Sequence, residues 1–238
     1  MRGFALVWMT VFHFCFDLSY LGYWKQDFYR DPVWTWQRSC ILGLFLLCVG
    51  LGQAVAAAQG QTWGRFWRRW WQVVAGAALV SFGSWLMFPR SFIYFGVLHA
   101  VAVMLLIARL SAGRSFPVLL ALAGVALAAP LAAPWLLQGS AVAPLFNAPQ
   151  LNWLGFITSK PITEDYVPLL PWMAMVWCGV AAGRWLLAHA PRWLDWQPPG
   201  VGNLLSWLGR WSLSYYLIHQ PLLIGALMAL KLFTRSSP

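Results

Sequence analysis

The feature that most constrains this chain is a repeated one: apolar runs of about 18–23 residues separated by polar turns. A helix rises about 1.5 Å per residue, so each run matches a hydrocarbon core about 30 Å thick. Seven such runs are predicted, at about 3–23, 34–56, 71–88, 92–110, 116–137, 166–186 and 212–233. They lack the period-two alternation of barrel strands and are too long to be such strands. The reading is an all-α integral membrane protein, a polytopic bundle of about seven transmembrane helices, with 1–238 as one domain. Pro89, Pro117, Pro168 and Pro171 fall near predicted helix ends, where a missing amide donor is tolerated. Pro221 lies inside the last run and predicts a kink just after His219.

Charge supports the same class. Only 9% of the 238 residues are charged, with 61% hydrophobic and a mean hydropathy of +0.63, whereas a soluble domain carries about 25% charged residues. The net charge of +10 would suggest nucleic acid in a soluble protein. Here no basic face alternates with an exposed polar scaffold, so nucleic acid is excluded as a partner. The basic residues instead set topology and meet anionic lipid headgroups. Many of the 18 tryptophans gather near predicted run ends, among them Trp34, Trp36, Trp63, Trp67, Trp70, Trp71, Trp193, Trp196, Trp207 and Trp211. Amphipathic rings favour the headgroup level. Residues 189–211 read as a Pro-rich turn and a Trp-rich surface helix. The four cysteines lie in apolar runs without a CxxC pair, so they read as packed thiols.

Orientation follows from the basic residues. Counting alternate sides, the densest cluster, Arg65, Arg68 and Arg69, falls on the same side as Arg2, and five of the six acids fall at or beyond the opposite half. The positive-inside rule then places the N-terminus in the cytoplasm.

Against this background the ionisable residues at membrane depth stand out, because hydrocarbon penalises charge by several kcal/mol unless it is partnered or wet. The first run, RGFALVWMTVFHFCFDLSYLGY, carries Arg2, His13 and Asp17. His13 lies eleven residues from Arg2, about 16 Å along the helix, and Asp17 follows one turn later on the same face. A carboxylate at that spacing can bond the imidazole and fix its tautomer, as a general base requires, or the two side chains can take different partners. With Arg38, Arg90, His99, Asp165 and His219 they make a candidate polar cluster biased to the outer half. Each also has a plainer reading. His13 with Asp17 can be an interhelical hydrogen-bonding pair, His99 can be packing, and His219 can bond a backbone group beside Pro221. Arg38 and Arg90 can snorkel to headgroups, and Asp165 can cap the sixth helix. Three histidines on three helices also admit a haem, but no helix carries a paired set of ligands, so no metal site is assigned.

Two likenesses sharpen this. Arg2 through His13 resembles the R-x10-H signature of bacterial membrane O-acyltransferases that decorate surface sugars. The first run together with SFIYFGVLHAVA (91–102), DYVPLLPWMAMVWCGVAAGR (165–184) and GRWSLSYYLIHQPLLIG (209–225) is similar, in order and over essentially the whole chain, to small bacterial membrane proteins. These are classed with the catalytic domain of heparan-α-glucosaminide N-acetyltransferase.

The resemblance implies a transmembrane acyltransferase-like domain of the bacterial inner membrane. It would move an acyl group, acetyl by preference, from a cytoplasmic acyl-CoA to a glycan or amino-sugar acceptor on the outer side. Acetyl-CoA or another acyl-CoA would be a co-substrate rather than a bound cofactor. By position in the signature, Arg2 would help hold the donor and His13 would be the base, oriented by Asp17. His99, Asp165 and His219, as members of matching blocks, would line the substrate chamber, where predicted depth also puts Arg38 and Arg90. The rival expectation is a lipid- or glycan-binding or transport protein that uses the same chamber without acyl transfer.

Overall fold

The computed structural model describes residues 1–190, 192 and 199–235, and among these no strand occurs. The helices are α1 (Arg2–Tyr20), α2 (Pro32–Ala58), α3 (Trp63–Met87), α4 (Val97–Ser111), α5 (Phe116–Leu137), a short α6 (Ala143–Asn147), α7 (Leu169–His189), α8 (Val201–Arg210) and α9 (Ser212–Arg235). Six of them, α1, α2, α3, α5, α7 and α9, are long and apolar enough to cross a bilayer, and α4 is a shorter apolar helix. The chain is a multi-pass helical membrane protein. Its outward faces fit that solvent: Leu79, Phe82 and Leu86 on α3 and Val125, Leu131 and Trp135 on α5 are all exposed.

Boundaries differ from the sequence reading where backbone groups find other partners. The fourth helix begins at Val97, not near 92. The preceding stretch cannot wind into it because its backbone is already engaged. Ser81 Oγ donates to the Ile93 carbonyl at 2.7 Å, and Ile93 N donates to Ser84 Oγ at 2.9 Å. Thr163 Oγ1 donates to the Phe92 carbonyl at 2.8 Å, while Glu164 N and Val167 N reach the Ser91 and Phe95 carbonyls. In hydrocarbon, non-helical backbone is tolerated only where protein supplies such bonds. The 15 residues of α4 therefore span only about 22 Å.

The third helix begins before the run predicted at about 71–88: the stretch TWGRFWRRWW, which reads as a Trp/Arg interfacial segment, forms the start of α3, capped by Thr62 Oγ1 accepting from Arg65 N. The sixth span starts at Leu169 with Leu170 non-helical, so regular helix begins at Pro171. A surface helix is present as α8, with Val201, Leu204 and Trp207 exposed. Trp193 and Trp196 lie outside the described residues. The last helix runs on through Pro221.

The chain packs as two compact units, Met1–Phe45 with Gln197–Pro238, and Leu46–Trp196. In the first, α1 packs against α8 and α9. Its buried face is Gly3, Ala5, Leu6, Met9, Phe12 and Asp17, a helical spacing, while Phe4, Val7, Val11 and Phe14 face out. Leu6, Met9 and Phe12 form a cluster with Phe28 and Ile41, flanked by Trp34, Leu208, Tyr215 and Tyr216. Gly3 lies against the Leu205 carbonyl, too close for a side chain. The far end of α1 stops at Gly22, whose φ of 82° lets Tyr23 N reach back to the Leu18 carbonyl at 2.9 Å.

Contacts along α1 and α9 climb together. Thr10 Oγ1 meets Tyr215 Oη at 2.6 Å, Asp17 meets Gln220, and Lys231 Nζ donates to the Leu21 carbonyl at 2.7 Å. The two helices therefore run parallel.

In the second unit α3 and α4 run antiparallel, with Trp70 Nε1 donating to the Ala102 carbonyl at 2.8 Å. Near the start of α3, Arg109 bonds the Gln61 carbonyl and lies over the Trp63 ring. Helix α5 meets α7 through Ala123, Ala126 and Ala174. The later part of α2 meets α7 through glycine: a methyl on Gly50 would strike the Val176 carbonyl, and one on Gly179 the Leu47 carbonyl. Small residues let backbones approach where apolar burial gives no drive to association.

This crossing generates a test. Gly50→Ala and Gly179→Ala should each cost about 1–3 kcal/mol of stability through overpacking. In thermal unfolding in detergent they should melt well below Gly124→Ala, whose added methyl meets nothing within 4 Å.

Candidate functional site

The first unit gathers three of the sequence-predicted residues. His13 and Asp17 stand one turn apart on α1, and His219 on α9 comes to meet them. The His13 and His219 rings approach edge to face with centroids 5.1 Å apart. Of the two arrangements open to Asp17, a bond to His13 or a different partner, the structure shows the second. Asp17 is 1% exposed, and its Oδ1 accepts from Gln220 Nε2 at 3.1 Å. The physical reason is reach: Gln220 on the parallel helix brings an amide to the carboxylate. Sequence reasoning passed over Gln220. The signal was present, since an uncharged polar side chain beside a histidine inside an apolar run also needs a partner on another helix.

His219 is held from below. Its Nδ1 lies 2.8 Å from the Tyr216 carbonyl and 3.2 Å from that of Tyr215. A carbonyl only accepts, so Nδ1 carries the proton and Nε2 the lone pair. The ring also stacks on Tyr215 at 5.7 Å between centroids, and Tyr215 is anchored by Thr10. Backbone bonding beside Pro221, the plainer sequence reading, is therefore present, and it leaves the other face of the ring unspent. Three buried atoms in this group have no hydrogen-bond partner: His13 Nδ1, Asp17 Oδ2 and His219 Nε2. Buried polar atoms are satisfied in the great majority of cases, so three in one place need an explanation.

Arg2 is exposed in the first turn of α1, at the end packed on α8, where Gly209 lies beside its Cβ. Eleven residues separate it from His13, about 16 Å of helix. Arg38, near the start of α2, is exposed.

His99 and Asp165 belong to the second unit, and both serve the turn that starts α4. Ser81 Oγ gives its proton to Ile93, so it accepts from His99 Nε2 at 3.0 Å. His99 Nδ1 then accepts from Gly96 N at 3.3 Å. Both ring nitrogens are engaged, the packing reading of this residue. Asp165 Oδ2 accepts from Val97 N at 2.9 Å. It thus caps α4, whereas the helix after it starts from Pro168. Gly96 is the residue that fits there, since a side chain would strike the Asp165 carboxylate. Arg90 is exposed just before this turn.

The long loop of this unit is ordered by two asparagines. Asn147 Oδ1 accepts from Thr158 N at 2.9 Å. Asn152, fully buried, donates to Tyr94 Oη at 2.7 Å and accepts from Tyr166 Oη at its carbonyl at 2.6 Å. Among the described residues, no three His, Cys, Asp or Glu side chains are arranged to hold a metal ion.

Comparison with known proteins gives one match. The family described as "Heparan-alpha-glucosaminide N-acetyltransferase, catalytic" matches residues 1–221 of the chain. No curated protein and no solved structure matches it.

The α4 turn supplies a prediction. Asp165→Ala should lower stability by about 1–3 kcal/mol by stranding the Val97 amide, and Asp165→Asn, which keeps an acceptor oxygen, should lose less. If Asp165→Ala melted like the wild type yet lost ligand binding, Asp165 would be a substrate contact rather than a cap.

Proposed function

The chain belongs to the family of the heparan-alpha-glucosaminide N-acetyltransferase catalytic domain, and from that premise we propose that it transfers an acyl group across the bacterial inner membrane with His13 as general base. The donor is a cytoplasmic acyl-CoA, acetyl-CoA by preference, and the N-terminus of the chain is cytoplasmic. The acceptor is an amino sugar or other glycan on the outer side. Arg2 helps hold the donor at the cytoplasmic end of α1.

The observation that carries this reading is the trio of unpartnered buried atoms at His13, Asp17 and His219. An ionised carboxylate oxygen accepts, and so does His219 Nε2 once Nδ1 has given its proton to a carbonyl. A cluster of such acceptors suits a ligand that brings hydrogens, as a sugar hydroxyl or amine does. As the acceptor oxygen or nitrogen attacks the thioester carbonyl, its proton passes to His13 Nδ1. The carbon–sulfur bond breaks, and the departing sulfur is protonated to give free CoA thiol. A buried imidazolium is costly in hydrocarbon, and the Asp17 carboxylate a turn away offsets that cost. Positioned acid–base groups of this kind contribute about 10²–10⁴ in rate.

The test uses purified protein in nanodiscs, with acetyl-CoA as donor and glucosamine as acceptor probe, and follows thiol release and acetylated product. His13→Ala should lose about 10³-fold or more in turnover and keep the wild-type melting temperature. Full turnover by His13→Ala would remove the histidine from catalysis. Movement of a glycolipid between leaflets with no acyl transfer by the wild type would favour a transport role instead.

A further inference from the structure

We propose that a groove between α5 and α7 in the second unit holds one chain of an anionic phospholipid, with the lipid phosphate at Arg114 and Arg184. The site involves none of the residues assigned to acyl transfer.

The groove follows from how α7 is held. Helices α5 and α7 close on each other through Ala123, Ala126 and Ala174, where small side chains let the backbones approach. Further toward the start of α5 a groove of about 330 Å³ opens, lined by Phe116, Leu120, Cys178, Ala181, Ala182 and Trp185. Two bonds tie this part of α7 to the end of α4. Trp177 Nε1 donates to Ser111 Oγ at 3.0 Å, and Arg184 Nη1 donates to the Ala112 carbonyl at 2.7 Å. Phe116, Leu120 and Trp185 are exposed and form the rim, while Ala181 is buried at the floor. None of the six lining side chains is charged. Along α7 they cover two turns of helix, about 10 Å. Both walls are helices long enough to cross a bilayer, so the groove lies along the direction that a lipid chain takes.

Charge selects the kind of lipid. The Phe116–Trp185 end of the groove lies at the turn between α4 and α5, and that turn gathers two guanidiniums. Arg184 reaches it through the Ala112 bond, and Arg114 is exposed within it. Ser115 precedes α5 without a side-chain cap bond, which leaves its hydroxyl to donate to a phosphate. Arg65, Arg68 and Arg69 in the first turns of α3 stand at the same end, since Arg109 of α4 bonds the Gln61 carbonyl. Glu164 and Asp165, the acids among the described residues of this unit, are bonded at the opposite end of α4, to Ser91 and Val97. A phosphate at the α4–α5 turn thus meets cations without a described carboxylate beside them. Each basic residue near a membrane surface favours anionic lipid by about fivefold. A zwitterionic headgroup brings its own ammonium to the same cations and forfeits that gain.

The test uses full-length protein in detergent, titrated with phosphatidylglycerol or with phosphatidylcholine of the same chains and followed by native mass spectrometry. The wild type should retain one phosphatidylglycerol about tenfold or more tightly than phosphatidylcholine. Arg114→Gln should lose about fivefold in affinity for phosphatidylglycerol and little for phosphatidylcholine. Ala182→Leu, which fills the groove, should weaken both lipids by about tenfold. Glycerol phosphate, which has the headgroup charge without chains, should not compete.

Equal retention of the two lipids by the wild type would overturn the proposal. So would unchanged phosphatidylglycerol affinity in Ala182→Leu, which would put the lipid elsewhere, or displacement of the lipid by an equal concentration of glycerol phosphate. A dimer in the same spectra that Ala182→Leu converts to monomer would put a second copy of the chain in the groove and also sink it. If Ala182→Leu does not fold, Leu120→Trp at the exposed rim tests the groove in its place.

Discussion

In hydrocarbon a polar side chain has no solvent to fall back on, and its partner has to be carried by another piece of protein. The contact between Asp17 on α1 and Gln220 on α9 is this constraint at its sharpest. It draws a carboxylate 1% exposed into register with a helix from the other end of the chain, and the two histidine rings, Tyr215 and Thr10 line up along the same seam. Apolar residues of α1 then lie on both its faces, Leu6, Met9 and Phe12 inward and Phe4, Val7, Val11 and Phe14 outward. The same rule shapes the second unit, where the backbone of residues 91–96 is left out of a helix because loop residues Thr163, Glu164 and Val167 satisfy it.

The histidines show how one residue type takes two courses under one rule. His99 has both ring nitrogens engaged, by Ser81 and by the Gly96 amide, and so reads as part of the scaffold of a turn. His13 and His219 each keep one ring nitrogen without a partner. The difference lies in what surrounds each ring. Around His99 a compact turn offers a hydroxyl and a backbone amide at short range. At the α1–α9 seam, partners come from helical side chains spaced a turn apart, and not every lone pair is met.

Much of the architecture was legible in the sequence because apolar length is a strong local signal. The limits of α5 were readable to the residue, since Phe116–Leu137 is one uninterrupted apolar run. The start of α4 was not, because SFIYFG is as apolar as the helix it precedes, and what unwinds it comes from residues about 70 positions later. The Trp/Arg stretch before residue 71 looked like an interfacial break because its charges were weighed against hydrocarbon. A 25-residue helix is longer than a hydrocarbon core about 30 Å thick requires, so it can carry those charges at its end. The nearness of His13, Asp17 and His219 was anticipated from depth alone. The identity of the Asp17 partner was not, because i to i+4 spacing favours a bond within one helix, and only the packing reveals that α9 offers a better donor.

The parallel pairing of α1 with α9 has a consequence for how the protein is made. Asp17 and Gln220 are 203 residues apart, so the partner of the first helix is nearly the last thing the ribosome delivers. At about 5–20 residues per second, α1 waits roughly 10–40 s in or beside the insertion machinery with an unmatched carboxylate and imidazole. During that interval the residues that later serve the site are its greatest liability, and release of the first helix into lipid is best delayed until the last one arrives. The order of synthesis thus makes completion of the chain the step that assembles the α1–α9 seam, and a nascent chain truncated before α9 carries His13 and Asp17 without His219 and Gln220.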